Sequence, residues 1–188
     1  MKTKSLIHMV TAALFFMLAT GSFAQAPTNA THIPSGEIMT VYENLGDTID
    51  QQIRVVHIGD DINVAVGVLR RGVTRTEGEE VTSIIHHQIT EVYYILSGSG
   101  ILVTGGDATD AVEFPADLTA VRVLIGPSGR RMVTNGQTQT VSAGDVVVIP
   151  AGVPHGFRHI QEQITYLSIR VDPDQVLPTG YAHPSLEE

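Results

Sequence analysis

The sequence predicts an all-β protein that folds as a sandwich or a barrel. The stretches rich in Val, Ile, Thr and Tyr are short, turn-forming residues separate them, and no segment keeps the apolar period of a long helix. Many short strands at such spacing are typical of sandwiches and barrels. With 188 residues and 43% hydrophobic content, the chain is long enough for one sizeable core. We therefore expect a single domain.

The predicted elements follow one another along most of the chain. Strands are predicted over residues 38–42, 53–58, 62–69, 91–104, 118–125, 146–149 and 164–171. Turns are predicted at residues 59–61, 98–100, 105–107, 126–129, 135–136 and 143–145. These elements divide the chain into an N-terminal leader and edge strand (25–49), a barrel (50–171) and an extended C-terminal tail (172–188). The tail is expected to wrap around the domain or around a partner subunit, which makes a homodimer a possible assembly.

Residues 1–24 have the pattern of a secretory signal peptide. Lys2 and Lys4 supply positive charge, residues 6–20 are mostly apolar, and small residues at Ser22 and Ala24 suit signal peptidase. The apolar run is shorter than the roughly 20 residues that a membrane-spanning helix needs. The mature protein is therefore expected to be periplasmic or secreted, with no membrane attachment after cleavage.

Composition excludes several kinds of partner and site. Beyond Ala24 the chain has 9 basic residues, all Arg, against 20 acidic ones, a net charge of −11. Such a surface repels nucleic acid and anionic membranes. The chain has no cysteine for a disulfide or a thiolate site, and it has no glycine-rich phosphate loop or nucleophile elbow. We therefore expect the partner to be a small molecule.

A first group of candidate metal ligands lies in residues 86–100, HHQITEVYYILSGSG. Side chains alternate between the two faces of a strand, so Glu91 and Tyr93 share a face. His87 shares a face with Ile85, and His86 lies on the opposite face. A short turn before Glu91 would bring this residue next to His87, and imidazole and carboxylate are suitable ligands for a divalent ion.

A third candidate ligand lies downstream, in residues 144–159, GDVVVIPAGVPHGFRH. His155 begins a strand in which the same alternation places Phe157 and His159 on its face. If His155 joins His87 and Glu91, the site has two histidines, one carboxylate and open coordination positions. This ligand set suits iron, manganese, zinc or nickel, and its open positions suit a substrate.

The second of these segments resembles a sequence motif of the cupin superfamily. Gly144, Pro150, Gly152 and His155 match the family's second motif at every spacing, and His159 stands where the family has Asn. The resemblance implies a double-stranded β-helix, or jelly-roll barrel, with a metal ion inside. It also implies that the long segment between the motifs adds a hairpin or a lid near residues 114–131.

The first segment resembles the family's first motif in its second half. His87, Glu91 and Gly98 match, since the family allows three or four residues between this histidine and the glutamate. The family's first histidine falls on Ile85, and the neighbouring His86 is out of phase. The resemblance thus implies a site of three protein ligands, His87, Glu91 and His155, in which an apolar side chain fills the first position.

Several side chains near this site allow two interpretations. His86 is either exposed or an additional ligand brought inward by a β-bulge, and His159 either supports the ligands or packs structurally. Tyr93 and Phe157 are expected to line the pocket. Arg130 and its neighbour Arg131 either steer an acidic substrate or occupy an exposed hairpin tip.

Three functions remain compatible with these residues. The first is a metal-dependent enzyme acting on a small polar organic molecule, of the dioxygenase, isomerase or lyase type. The second is a noncatalytic module that binds a small ligand, and the third is a barrel whose metal only stabilises the fold. Because one barrel hosts many chemistries, the fold class does not choose among them.

Overall fold

The computed structural model describes residues 27–187 and consists mainly of β-strands. The helix α1 spans Ser35–Glu43, and single turns of π- and 3₁₀-helix lie at Val121–Ile125 and Pro184–Leu186. The strands are β1 (Asp50–Gly59), β2 (Ile62–Arg71), β3 (Thr74–Arg75), β4 (Val81–His86), β5 (Thr90–Thr104), β6 (Asp107–Glu113), β7 (Ser128–Thr134), β8 (Gln137–Ser142), β9 (Val146–Ile149), β10 (His155–Ile160) and β11 (Ile164–Asp172).

The strands form two antiparallel sheets that share β5. The first sheet has the order β1, β2, β11, β5 and β9, and the second has the order β6, β7, β4, β10, β5 and β8. The short strand β3 pairs with the end of β10. This arrangement is a double-stranded β-helix, which confirms the predicted all-β jelly-roll fold.

The strand β5 passes from one sheet to the other at Gly98. Up to this residue it pairs with β11, and from Ser99 onward it pairs with β8. Gly98 has φ +78°, and a Cβ at this position would lie 1.9 Å from the carbonyl oxygen of Gln163. Only glycine combines this backbone conformation with such a close approach. The predicted turn at residues 98–100 is therefore a bend within one long strand.

The interior between the sheets is filled by apolar and aromatic side chains. Alternate residues of facing strands point inward, as expected for strands with one face in the core. Tyr93 packs against Tyr166, with ring centroids 4.5 Å apart, and Phe157 lies 6.1 Å from Tyr166. The remaining buried members of this cluster are Leu69, Ile95, Leu102, Val141, Ile149, Ile160 and Ile164.

The helix α1 covers the outer face of the first sheet. Val41 is fully buried there against Ile53 of β1 and Val68 of β2. The prediction of an edge strand over residues 38–42 is wrong, because the apolar residues of this short segment have helical spacing. Nine residues, the length of α1, are too few for that period to be clear from the sequence.

The segment between the two motifs adds a hairpin, as predicted, but residues 114–127 of the predicted range 114–131 form the connection between its strands. Its strands β6 and β7 pair with each other, and β7 also pairs with β4. The prediction of a strand over residues 118–125 is wrong, since Val121–Ile125 form a π-helical turn in the connection. Val121 and Ile125 are buried, so their apolar character reflects packing and not strand pairing.

The C-terminal tail packs against its own domain. Leu177 is buried beside Val55 and Ala65, and the Asn63 side chain donates to the Leu177 carbonyl oxygen. Residues 1–24, the predicted signal peptide, lie outside the described residues. Within residues 27–187, no helix is long and apolar enough to cross a membrane.

Candidate metal centre

Three buried side chains from three strands meet inside the barrel. His86 ends β4, Glu91 lies at the start of β5, and His155 begins β10. The Nε2 atoms of His86 and His155 lie 3.2 Å and 3.1 Å from Glu91 Oε2. One ligand atom from each residue lies within 4.8 Å of the others, so the three residues can hold a metal ion. The two histidines belong to one sheet and Glu91 to the facing half of β5.

The prediction that His87 binds the ion is corrected by this geometry. The His87 side chain is 37% exposed, and its Nε2 lies 2.7 Å from Glu113 Oε2 on the hairpin. His86, at the end of β4, is buried, and its Nε2 lies 3.2 Å from Glu91 Oε2. The inward-facing histidine is therefore one position away from the predicted assignment.

Both faces of β4 carry apolar side chains, which explains the error. On the outer face, Val81 packs against Val103 and Val133, so alternation of polar and apolar residues does not distinguish the faces. β4 pairs with β7 without a register shift, and hence no β-bulge is needed to bring His86 inward. The signal available in the sequence was that four residues lie between His86 and Glu91, a spacing that the family motif also allows. Ile84 then occupies the first histidine position.

Of the other predicted site residues, one lines the cavity, one contacts Glu91 and one lies outside the cluster. Phe157 lines the cavity next to His155. Tyr93 does not line that cavity, because its ring is buried and its hydroxyl donates a 3.0 Å hydrogen bond to Glu91 Oε2. His159 is not part of the cluster, since a register irregularity between Phe157 and His159 interrupts the alternation along β10.

Glu91 is held by hydrogen bonds from behind. Its Oε1 accepts from the Ser168 hydroxyl at 2.6 Å and from Arg170 Nε at 3.1 Å, which leaves Oε2 facing the histidines. Burial alone would raise the pKa of Glu91, but His86, His155 and Arg170 outweigh it and lower this pKa well below its usual value. Glu91 is therefore a carboxylate at neutral pH. Two donors fix which of its oxygens is offered to an ion.

Hydrogen bonds at the far side of each imidazole assign the tautomers. His155 Nδ1 lies 3.0 Å from the Val153 carbonyl oxygen, which only accepts, so Nδ1 carries the proton. His86 Nδ1 lies 2.8 Å from Ser128 Oγ, and this hydroxyl is 2.9 Å from two carbonyl oxygens, those of Ile125 and Gly126. The hydroxyl proton goes to a carbonyl, so Ser128 accepts from His86. In neutral imidazoles both Nε2 atoms therefore carry lone pairs.

These lone pairs point toward a carboxylate oxygen that is itself an acceptor. His155 Nε2 is buried and has no hydrogen-bond partner among residues 27–187, although Glu91 Oε2 is 3.1 Å away. Acceptors this close repel one another unless a proton or a metal cation lies between them. Two imidazole nitrogens and a carboxylate oxygen suit a divalent ion such as iron, manganese, zinc or nickel. The residues present therefore fit a metal ion with further coordination positions open.

A cavity of about 400 Å³ adjoins the cluster at His155. Phe114, Phe157 and Ile84 give it an apolar wall. Threonine and serine hydroxyls line another part, and two arginines, Arg71 and Arg130, complete the lining. The cavity thus places a space for a small organic molecule next to the candidate metal ligands.

Comparison with known proteins links the chain to one family. A family model described as a cupin domain matches residues 122–170, a segment that contains His155 but neither His86 nor Glu91. An uncharacterized protein of Streptomyces coelicolor, SCO3923, is 44% identical over 48 residues. The match covers 25% of this chain and 46% of that protein, so the chain spans less than half the length of this curated relative.

Similar solved structures are distant in sequence. BH2720 from Bacillus halodurans is 17% identical, and the match covers 85% of this chain and 93% of that protein with a TM-score of 0.44. The DMSP lyase DddQ from Ruegeria pomeroyi is 16% identical, with 65% and 46% coverage and a TM-score of 0.37. Likeness at this level carries no information about the substrate or reaction of this chain.

Proposed function

We propose that this chain, which belongs to the cupin superfamily, binds a divalent metal ion through His86, Glu91 and His155 and is an exported enzyme for a small polar organic molecule. The reaction types that suit an open site of two histidines and one carboxylate are dioxygenation, isomerisation and elimination. When bound, the ion would supply Lewis-acid or redox chemistry. Export rests on the pattern of residues 1–24.

The observation that carries this proposal is the convergence of three buried acceptors on one point. In neutral imidazoles with the tautomers that the surrounding hydrogen bonds assign, His86 Nε2 and His155 Nε2 carry no proton, and Glu91 Oε2 accepts from the Tyr93 hydroxyl but from neither imidazole. A purely structural cluster would offer the two imidazole nitrogens a donor, since unpaired buried acceptors are costly. A bound cation explains why they are left facing one another.

Residues around Glu91 hold the site in place, and the side of the site next to the cavity stays accessible. Arg170 offsets the charge of Glu91 from behind, and the Tyr93 hydroxyl donates to the metal-facing oxygen. Burial raises the pKa of Tyr93 well above its usual value, and the charge of Glu91 raises it further, so Tyr93 stays a phenol that can donate. Ile84 contributes no ligand, which leaves room for a molecule from the cavity.

The metal content of matched variants tests the proposal. We expect His86→Ala and His155→Ala to lower metal affinity at least ~10-fold, because each removes a ligand from a site of three. His87→Ala is the control, since its imidazole pairs with Glu113 on the surface and should leave metal content unchanged. Elemental analysis of protein purified without a metal-binding tag provides the measurement. Loss of metal in His87→Ala but not in His86→Ala would contradict the assignment.

Thermal melting gives a second readout of the same site. An ion that binds only the folded protein stabilises it, by about 2.7 kcal/mol when the free ion is at 100 times its dissociation constant. A chelator should therefore lower the melting temperature of wild type and leave that of His86→Ala unchanged. Identical wild-type curves with and without chelator, for protein shown to contain metal, would argue against a site built from the interior.

A further inference from the structure

Arg71 is a half-buried cation that forms no ion pair with a carboxylate of residues 27–187. It lies at the end of β2, and its Nε donates a 2.8 Å hydrogen bond to the Tyr166 hydroxyl. Its guanidinium carbon lies 6.0 Å from the centre of the Phe157 ring. Across the described part of the chain, no carboxylate forms an ion pair with Arg71, and its two Nη groups make no hydrogen bond.

The other arginines that form ion pairs show what is different about Arg71. Arg54 pairs with Glu37, Arg131 with Glu113, and Arg170 with both Asp50 and Glu91. The buried carboxylates Asp50 and Glu91 are thus both bonded to Arg170, and neither forms an ion pair with Arg71. Adding a divalent ion would give this interior an excess of positive charge, which an anionic ligand would offset.

Arg71 lines the cavity next to His155. No acidic residue contributes to the described lining of this cavity, although the chain has 20 acidic residues. Arg130 lines the same cavity from its exposed side, whereas the adjacent Arg131 turns away to Glu113. The Arg130–Arg131 pair is therefore divided between the cavity and the hairpin surface.

A second, larger cavity meets the first at Arg71. Its volume is about 770 Å³, and its wall includes Leu69, Leu124 and the shared Ile84. Its acidic members are Asp47 and Asp50, of which Asp50 is already paired with Arg170. An anionic group bound by Arg71 thus has apolar surface beside it. This combination favours an organic anion over an inorganic one.

We propose that the cavity beside the metal centre binds a small organic carboxylate, with Arg71 as its inner anchor and Arg130 at its mouth. Planar guanidinium groups match carboxylates with two parallel hydrogen bonds, and Arg71 has both Nη groups available for them. The apolar part of the ligand would lie against Phe157 and Ile84. This inference rests on the proposed function, since it names the class of molecule that the site would take.

Calorimetric titration with benzoate and with benzamide tests the proposal on the full chain. The two probes have the same shape, but only benzoate is charged. We expect wild type to bind benzoate at least ~10-fold more tightly than benzamide, because a charge-assisted pair is stronger than a neutral one. Arg71→Gln should reduce benzoate affinity to the benzamide level. Equal binding of the two probes by wild type would overturn the proposal.

Arg75→Gln is the matched control. Arg75 is exposed on β3 and points away from Thr74 and Thr76, which line the cavity, so the variant removes the same charge outside it. It should bind benzoate like wild type. An equal loss of benzoate affinity in Arg71→Gln and Arg75→Gln would show that only the net charge of the protein matters, which would contradict the proposal. If Arg71→Gln fails to fold by circular dichroism, Arg130→Gln should show a smaller loss in the same direction, and unchanged binding in that variant would count against the proposal.

Metal content, measured for every sample, separates this proposal from the previous one. Benzoate selectivity that depends on Arg71 in metal-free protein supports the anion site even if the wild type holds no metal. A metal-loaded wild type that does not distinguish benzoate from benzamide overturns the anion site and leaves the metal centre standing.

Discussion

Arg170 connects the metal-facing carboxylate to β1, at the edge of the first sheet. Its Nε donates to Glu91, its Nη1 to Gln52 Oε1 at 2.8 Å, and its Nη2 to Asp50 Oδ2 at 2.5 Å. All four side chains are buried. A buried network of this kind fixes one arrangement of its members, whereas removal of one partner leaves a buried charge uncompensated. Glu91 is thereby held before any ion arrives.

At the same scale, Ser128 determines how His86 presents its ring. Ser128→Ala removes the acceptor for His86 Nδ1, so the imidazole loses its orientation and its assigned tautomer. We expect metal affinity to fall about 10- to 100-fold, as for other partners of metal-ligating histidines. Competition against a chromogenic chelator measures the change. Ser142→Ala, at the exposed end of β8 beside Asp145, is the control, and equal affinities in the two variants would contradict this role.

At the scale of elements, close approach of β10 and β4 brings the two histidines together. Gly156 follows His155, and a Cβ at this position would lie 2.3 Å from the Thr82 carbonyl oxygen on β4. The loop between β9 and β10 is tied to the same strand, because Gly152 N donates to the His86 carbonyl oxygen at 2.7 Å. The backbone itself therefore sets the separation of His86 and His155.

Gly156→Ala should separate these strands. We expect it to destabilise the fold by about 1–3 kcal/mol, as overpacking typically does, and to weaken metal binding at the same time. Gly72→Ala offers the matched control, since a Cβ there meets nothing within 4 Å. Denaturant unfolding of both variants provides the measurement. A wild-type midpoint for Gly156→Ala would show that the strands can relax without cost.

The sequence was sufficient for the elements whose apolar pattern is long and one-sided. The long strand over residues 91–104 and the pairing of Glu91 with His155 follow from alternation and motif spacing. It was insufficient where a strand has apolar residues on both faces, as around His86, because polar and apolar residues then do not alternate. It was also insufficient for α1, which is too short to show a helical period of apolar residues. The bulge near His159 depends on pairing with other strands, which local sequence does not specify.

At the scale of the whole molecule, charge is distributed unevenly. Beyond Ala24 the net charge is −11, yet the cavity next to His155 has two arginines and no acidic residue in its described lining. Such a surface favours solubility, while the two arginines give the cavity the charge that the proposed anion needs. The charged residues of the cavity lining thus differ in sign from the net charge of the chain.

Export of the chain is a prediction at this same scale. The charged start, apolar run and small residues of residues 1–24 should direct cleavage near Ala24. We expect intact-mass spectrometry of the exported fraction to show a chain that begins near Gln25. Replacing the apolar run with polar residues is the control and should keep the full-length chain inside the cell. A soluble exported protein that retains Met1 would contradict cleavage.

The passage of β5 through both sheets has a consequence for register. A one-residue slip of a strand turns every side chain to the opposite face, which in β5 would turn Glu91 out of the interior. In an ordinary strand, one sheet alone resists such a slip. Here β5 is bonded to β11 and β9 before Gly98 and to β10 and β8 after it, and the bend admits only glycine. The bend therefore couples the two halves of the strand, because neither half can change its register without shifting the other.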